Sequence, residues 1–311
     1  MEVITIALLV ITAALFAVLL TAFICFYIVF FVPKEKRPEE EYPIPPGEIY
    51  EPYREIMVSW MKEVRQLPHE RIHIRSFDGL TLCGRYYEYA DGAPIELMFH
   101  GYRGKAERDL CGGVQRAFSL GRNVLIVDQR GCGNSEGCVI TFGVNESKDC
   151  VSWVDYLVKR FPKTPIILTG ISMGAATVMM ATAKPLPDNV VGVLADCGYT
   201  SAKAIIQTVM RTRHLPVGVL YPFVKLGARL FGRFDLEKTP PIEAMKSCRL
   251  PIIFFHGAND DFVPCDMSVQ NYEACGCEKR LVIVPKAGHG LSYLVTPEAY
   301  LNALREFTFG L

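Results

Sequence analysis

Six apolar runs of five or six residues, at 95–99, 123–127, 165–169, 190–195, 251–255 and 280–284, limit the fold of this chain more than any other feature. They are too short for ordinary helices. Continuously apolar strands need cover on both faces, which is the condition of a parallel sheet. Helical stretches at 106–120, 144–161, 173–183 and 264–274 fall between most of them. This alternation predicts helices packed on both sides of the sheet. The runs at 71–77 and 80–89 are also strand-like, and Asp78-Gly79 between them is a hairpin signal. Apolar residues make up 50% of the chain and charged residues 21%, enough to fill such a core.

Functional residues of a parallel sheet gather beyond the carboxyl ends of its strands. The run 165–169 leads into Gly170-Ile171-Ser172-Met173-Gly174, and a helical pattern follows at once. This G-x-S-x-G resembles the nucleophile elbow of α/β-hydrolases, a turn too tight for a Cβ that lifts the serine hydroxyl above the sheet edge. The N-terminus of the following helix favours negative charge at the same spot. A second match, Gly133-Asn134-Ser135-Glu136-Gly137, has no strand leading directly into it and no helical pattern after it. Ser135 is therefore assigned to a loop.

A nucleophilic serine needs a base, and the base needs an orienting acid. After the run 251–255 comes His256-Gly257-Ala258-Asn259-Asp260-Asp261-Phe262-Val263-Pro264, and after 280–284 comes Ala287-Gly288-His289-Gly290. Only His289, of six histidines, lies beyond this acidic pair, as the order serine, acid, histidine requires. His69 and His73 precede or enter the first hairpin, and His214 falls in a connecting region. His100 and His256 end strands in His-Gly pairs that suit loop shaping. Asp196, at the end of the run 190–195, is the reserve candidate for the acid.

With Phe99-His100-Gly101-Tyr102, the stretch Asp128-Gln129-Arg130-Gly131-Cys132-Gly133, and the turns around Ser172, Asp260 and His289, the chain from about Arg71 onward resembles the α/β-hydrolase superfamily. More narrowly, it is similar to membrane-anchored relatives of serine aminopeptidase-like and acyl-thioesterase-like hydrolases. The resemblance implies an α/β-hydrolase fold: a mostly parallel sheet, helices on both faces, and a small helical cap at about 201–247. It implies Ser172 as nucleophile and His289 as base. Its D-x-x-V-P pattern selects Asp260, not Asp261, as the acid. The oxyanion hole would be the backbone N–H groups of Tyr102 and Met173, and the loop with Asp128 and Arg130 would be structural. Neither a metal nor an organic cofactor is implied. These motifs specify fold and triad, not substrate.

Residues 4–32 carry no charge, and about 20 apolar residues suffice to cross a bilayer. The run exceeds the roughly 7–15 residues of a signal-peptide core, and no basic residue precedes it. A single-pass membrane anchor at 1–32 is predicted. Lys34, Lys36 and Arg37 follow it, which places the catalytic domain on the cytoplasmic side. Residues 33–47, with Pro33, Pro38, Pro43, Pro45, Pro46 and Glu39-Glu40-Glu41, read as an extended linker. The hydrolase domain then runs 48–311 and opens with a helix at 48–67. The eleven cysteines include Cys275-Gly276-Cys277, which lacks a partner pair at zinc-like spacing; free thiols in a reducing compartment are expected.

Between 201 and 234 the chain has Lys203, Arg211, Arg213, Lys225, Arg229 and Arg233, many apolar residues and no acid. A helical cap with solvated bases fits this pattern. So does a basic apolar face on anionic lipid, worth about 1 kcal/mol per basic residue near the surface. Basic and acidic residues balance at 33 each, which excludes a global electrostatic case for nucleic acid. The expected function is a serine hydrolase for a small acyl substrate, lipid-like ones included, with ester or thioester preferred. The alternatives are an aminopeptidase-like amide hydrolase and a non-catalytic binding protein of the same fold.

Overall fold

The computed structural model describes residues 2–33 and 41–309. Lys34, Lys36 and Arg37, which carry the predicted orientation, lie outside the described residues, as do Pro38, Glu39 and Glu40 of the linker.

Eight strands form one sheet: β1 (Glu70–Arg75), β2 (Thr81–Tyr87), β3 (Ile95–Phe99), β4 (Asn123–Asp128), β5 (Ile166–Ile171), β6 (Val190–Asp196), β7 (Ile252–Gly257) and β8 (Lys279–Val284). Their order is β1-β2-β4-β3-β5-β6-β7-β8. The β1–β2 hairpin is antiparallel and β2 pairs antiparallel with β4; every later pairing is parallel. Two-residue periodicity sends each central strand's side chains to both faces. Leu97 and Phe99 join a core with Trp153 and Leu157 of α4 (Glu146–Arg160) and with Ala175 and Val178 of α5 (Met173–Ala181). Met98 between them joins Met61 and Val64 of α2 (Arg54–Gln66) and Leu110 and Val114 of α3 (Ala106–Phe118). The remaining cover comes from α8 (Pro241–Ser247), α9 (Asp266–Ala274), α10 (Ser292–Val295) and α11 (Pro297–Glu306).

The helix expected at 48–67 divides in two. Glu48–Tyr53 is a 3-10 turn containing Pro52, and α2 starts at Arg54. Proline has no N–H for the i→i−4 ladder, so the α-helix begins beyond it.

The first helix, α1 (Glu2–Val29), is the one helix among the described residues long and apolar enough to cross a membrane. Residues 2–20 are exposed throughout. At 1.5 Å per residue they span about 29 Å, close to the roughly 30 Å hydrocarbon thickness. The rest of the helix behaves differently. Ala22 and Phe26 are buried where α1 crosses the cap helix α7 (Val217–Leu230), and Phe30, just past the helix end, is buried against Phe142 and Phe234 in a core shared with α6 (Ala202–Thr212). At the crossing, a Cβ on Gly227 would meet the Ala22 carbonyl oxygen at 2.4 Å, so only glycine lets α1 come this close. Beyond α1, Phe31 forms a β-bridge with Val139, and Val32 N–H donates to the Cys138 carbonyl. The sequence pattern predicts a spacer after the apolar run; the structure seats the end of the apolar helix in the domain's second core. The far end of the spacer is docked too, because Tyr42 and Ile44 pack beside α2.

Candidate active site

Ser172 occupies the turn from β5 into α5 with φ 56° and ψ −116°, a conformation side chains rarely adopt. The flanking glycines explain how it is held. A Cβ on Gly170 would lie 2.2 Å from the Gly174 backbone, and one on Gly174 would lie 2.0 Å from the Phe99 carbonyl oxygen. The Ser172 N–H is tied to the Asp196 carbonyl at 2.8 Å. Strain of this kind persists only where the surroundings over-determine it.

The loops after β7 and β8 bring the other candidates to this turn. His289 Nε2 lies 2.9 Å from Ser172 Oγ, and His289 Nδ1 lies 2.7 Å from Asp260 Oδ2. A carboxylate only accepts, so Nδ1 carries the proton, and Nε2 accepts from the serine hydroxyl. The other carboxylate oxygen, Oδ1, accepts from the N–H groups of Phe262 and Val263 at 3.0 and 2.8 Å. Burial alone would raise the Asp260 pKa. The hydrogen bonds from His256 and His289, the charge of His289 and the Val263 N–H overcome it and bring the carboxyl down to about 2. The neighbouring Asp261 is exposed.

His256 is the contact that loop shaping alone does not foretell. Its Nε2 faces the Val263 carbonyl at 2.9 Å and Asp260 Oδ2 at 3.2 Å, while Nδ1 lies 2.6 Å from Ser268 Oγ. Both groups facing Nε2 are acceptors, so Nε2 carries the proton and Nδ1 accepts from Ser268. The buried imidazole thus braces the Asp260 loop from behind.

The side chains of the rejected and reserve candidates are engaged otherwise. Ser135 is buried where the Cys83 N–H donates to its hydroxyl, which in turn donates to the Asp128 carbonyl. Asp196 is buried and accepts from Ser292 Oγ at 3.0 Å and Tyr300 OH at 3.1 Å. Arg130 binds Asp149 at 2.6 Å and Asp78 at 3.0 Å, and Asp128 accepts the Ala106 N–H at 3.0 Å, so this loop is an internal brace.

The His100-Gly101-Tyr102 segment lies across from Ser172. A Cβ on Gly101 would be 3.6 Å from Ser172 Cβ, so this backbone passes directly beside the serine. His100 fixes it: Nδ1 donates to the Gly101 carbonyl at 2.8 Å, and Nε2 accepts the Gln129 N–H at 3.0 Å. Met173 starts α5, where the first N–H groups have no partner within the helix. The Tyr102 hydroxyl donates to the Val29 carbonyl at 2.6 Å, and Arg103 Nη2 donates to the Ile28 and Phe31 carbonyls at 2.8 and 2.9 Å. The last carbonyls of the apolar helix are therefore capped by the loop facing Ser172.

In the cap, Glu237 pairs with Lys225 and, at 3.9 Å, with Lys203. This acid lies three residues past the stretch read as acid-free. Arg211, Arg213, Arg229 and Arg233 are exposed.

Residues 97–232 match the family model of the alpha/beta hydrolase fold. Protein bem46 of Schizosaccharomyces pombe is 28% identical over 250 residues, covering 78% of this chain and 77% of that protein. YqkD, an uncharacterized protein of Bacillus subtilis, is 27% identical over 190 residues; the match spans 60% of this chain and 62% of that protein. Of solved structures, the Pyrococcus furiosus esterase Pf2001 is similar with a TM-score of 0.64 at 23% identity, over 85% of this chain and 95% of that one.

Proposed function

The chain is an α/β-hydrolase-fold protein, and we propose that it works as a serine hydrolase, cleaving an acyl ester or thioester through an acyl-enzyme. One observation carries this reading: the strained Ser172 hydroxyl lies in hydrogen-bond line with His289 and Asp260. Ser172 Oγ attacks the acyl carbonyl while His289 Nε2 takes its proton. Asp260 holds the imidazole by Nδ1–H and stabilises the imidazolium that forms. The N–H groups of Met173 and Tyr102 receive the oxyanion. His289 then returns the proton to the leaving alcohol or thiol. A water attacks the acyl-serine in the second half, with His289 again as base.

The site's position supports a lipid-like acyl substrate. The exposed length of α1 matches a bilayer, and its packed end touches the loop beside Ser172. Anchored by α1, the enzyme would hold its site at the membrane surface, next to long-chain substrates.

Labelling with a fluorophosphonate probe tests the nucleophile. Ser172→Ala should abolish labelling and Ser135→Ala should retain it; continued labelling of Ser172→Ala sinks the assignment. A panel of p-nitrophenyl esters, acyl-thioesters and aminoacyl amides ranks the substrate classes, and preference for the amides would favour an aminopeptidase-like enzyme.

A further inference from the structure

Three cysteines meet at the amino-terminal ends of β7 and β8, at the opposite edge of the sheet from Ser172. Cys248 caps α8 just before β7, Cys275 caps α9, and Cys277 stands two residues before β8. Their sulfur atoms all lie within 4.8 Å of one another, and Cys275 Sγ is 3.1 Å from Cys277 Sγ. Cys248 and Cys275 are buried and Cys277 is partly buried. We propose that Cys248, Cys275 and Cys277 form a binding site for one thiophilic d10 metal ion, of which Zn(II) and Cu(I) are the candidates.

The geometry suits that chemistry. Metal–sulfur bonds of about 2.3 Å place three trigonal thiolates about 4 Å apart. No pair in the trio is more than 4.8 Å apart, and the Cys275–Cys277 pair, at 3.1 Å, would need to open by under an ångström to reach this spacing. Soft thiolate sets select zinc and monovalent copper over hard cations. Charge is also favourable. Lys279 Nζ donates to the Tyr272 carbonyl at 2.8 Å and the Cys275 carbonyl at 2.7 Å, which holds an ammonium next to the trio. Binding replaces S–H protons by the metal and releases them to solvent, so no oxidant or reductant is consumed. The other described cysteines do not converge in this way; Cys197 lies near Asp260 and His289, a mixed group at the site already described.

The ion would staple the starts of the two strands whose far ends carry Asp260 and His289. β8 is an edge strand, paired on one side only, so a clamp at its start resists fraying. Neither Cys-Gly-Cys nor Cys248 alone suggests this; the β7–α9–β8 crossover brings them together.

The test uses the full-length chain, purified reduced in detergent micelles and stripped with a chelator. Zn(II) and, separately, Cu(I) are titrated against a competing chromophoric chelator, and free cysteines are counted by alkylation and mass spectrometry. One ion should bind per chain, with Cys248, Cys275 and Cys277 protected together, and the melting temperature should rise. Which ion survives the competition identifies the metal. Cys277→Ser, the least buried change, should weaken binding at least tenfold and abolish the metal-dependent rise while leaving the melting temperature of the stripped protein close to wild type. Cys248→Ser gives a second reading should Cys277→Ser fail to fold. Cobalt(II) loading should give a thiolate charge-transfer band that both variants diminish. The proposal is overturned if uptake is the same in wild type and both variants, or if mild peroxide yields a Cys–Cys disulfide within the trio while neither ion protects it.

Discussion

The Tyr102 hydroxyl donates to the Val29 carbonyl at 2.6 Å, joining residues 73 positions apart. This bond closes the end of the apolar helix onto the loop beside Ser172. Arg103, at φ 52°, adds two more bonds to the same turn. The apolar helix and the candidate site therefore share a joint.

Cutting at that joint should be costly. A chain starting at Glu48 loses the buried Ala22, Phe26 and Phe30 and uncovers α7. It should melt lower and turn over a soluble ester more slowly than the full chain. Phe30→Ala alone should cost roughly 3–5 kcal/mol, as for other large aromatic truncations in a core. Tyr102→Phe removes only the tether. Deleting an oxyanion donor costs about 10²–10³ in rate, so loosening one should lower kcat by about tenfold with KM little changed. Wild-type kinetics and melting in the Glu48 chain would dismiss the joint.

The two adjacent aspartates should separate cleanly. Asp260 receives four hydrogen bonds at the site, whereas Asp261 is exposed. Asp260→Asn should lower kcat by about 10⁴, because the imidazole loses its orienting acceptor. Asp261→Asn should stay near wild type. Steady-state kinetics on any accepted ester decides; a larger loss at Asp261 would move the acid by one residue.

The same carboxylate makes stability depend on pH. An unfolded aspartate has a pKa of about 3.9, and in the fold Asp260 is held at about 2. Its folded pKa is depressed, so the ionised group stabilises the fold above the unfolded value, and that gain fades as pH falls toward 2. The contribution is on the order of 2–3 kcal/mol near neutrality. In denaturant melts, wild type should lose stability between about pH 5 and 2 more steeply than Asp260→Asn. Parallel curves would assign the acid sensitivity to other groups.

Strand ends made most of this structure readable. Ser172, Asp260 and His289 each follow a short apolar strand, and a parallel sheet delivers all such turns to one edge. Local chemistry also separated Ser172 from Ser135, because only one stands between strand and helix. What stayed hidden was contact between distant segments. The packing of Phe30 against Phe142 and Phe234 has no periodic signal, since a run of 29 uncharged residues looks alike on every side. Glu237 lies just outside the acid-free stretch, so charge counting missed its pairing with Lys203 and Lys225. The brace from His256 to Asp260 depends on a loop folding back, which spacing along a strand does not encode.

The cap offers the last test. Four arginines stay exposed after Glu237 takes the two lysines, and exposed Leu215, Val219, Leu230 and Phe231 lie among them. A chain starting at Thr21 keeps the packed turns of α1 and removes the exposed span. It should remain active on a soluble ester and bind anionic vesicles, more weakly as salt rises. At about 1 kcal/mol per basic residue, replacing Arg211, Arg213, Arg229 and Arg233 by Gln should weaken vesicle binding by roughly three orders of magnitude and spare turnover of soluble ester. Vesicle flotation measures the first and steady-state kinetics the second. Equal binding of the parent chain to neutral and anionic vesicles would remove the electrostatic component and leave the apolar residues as the only membrane contact of the cap.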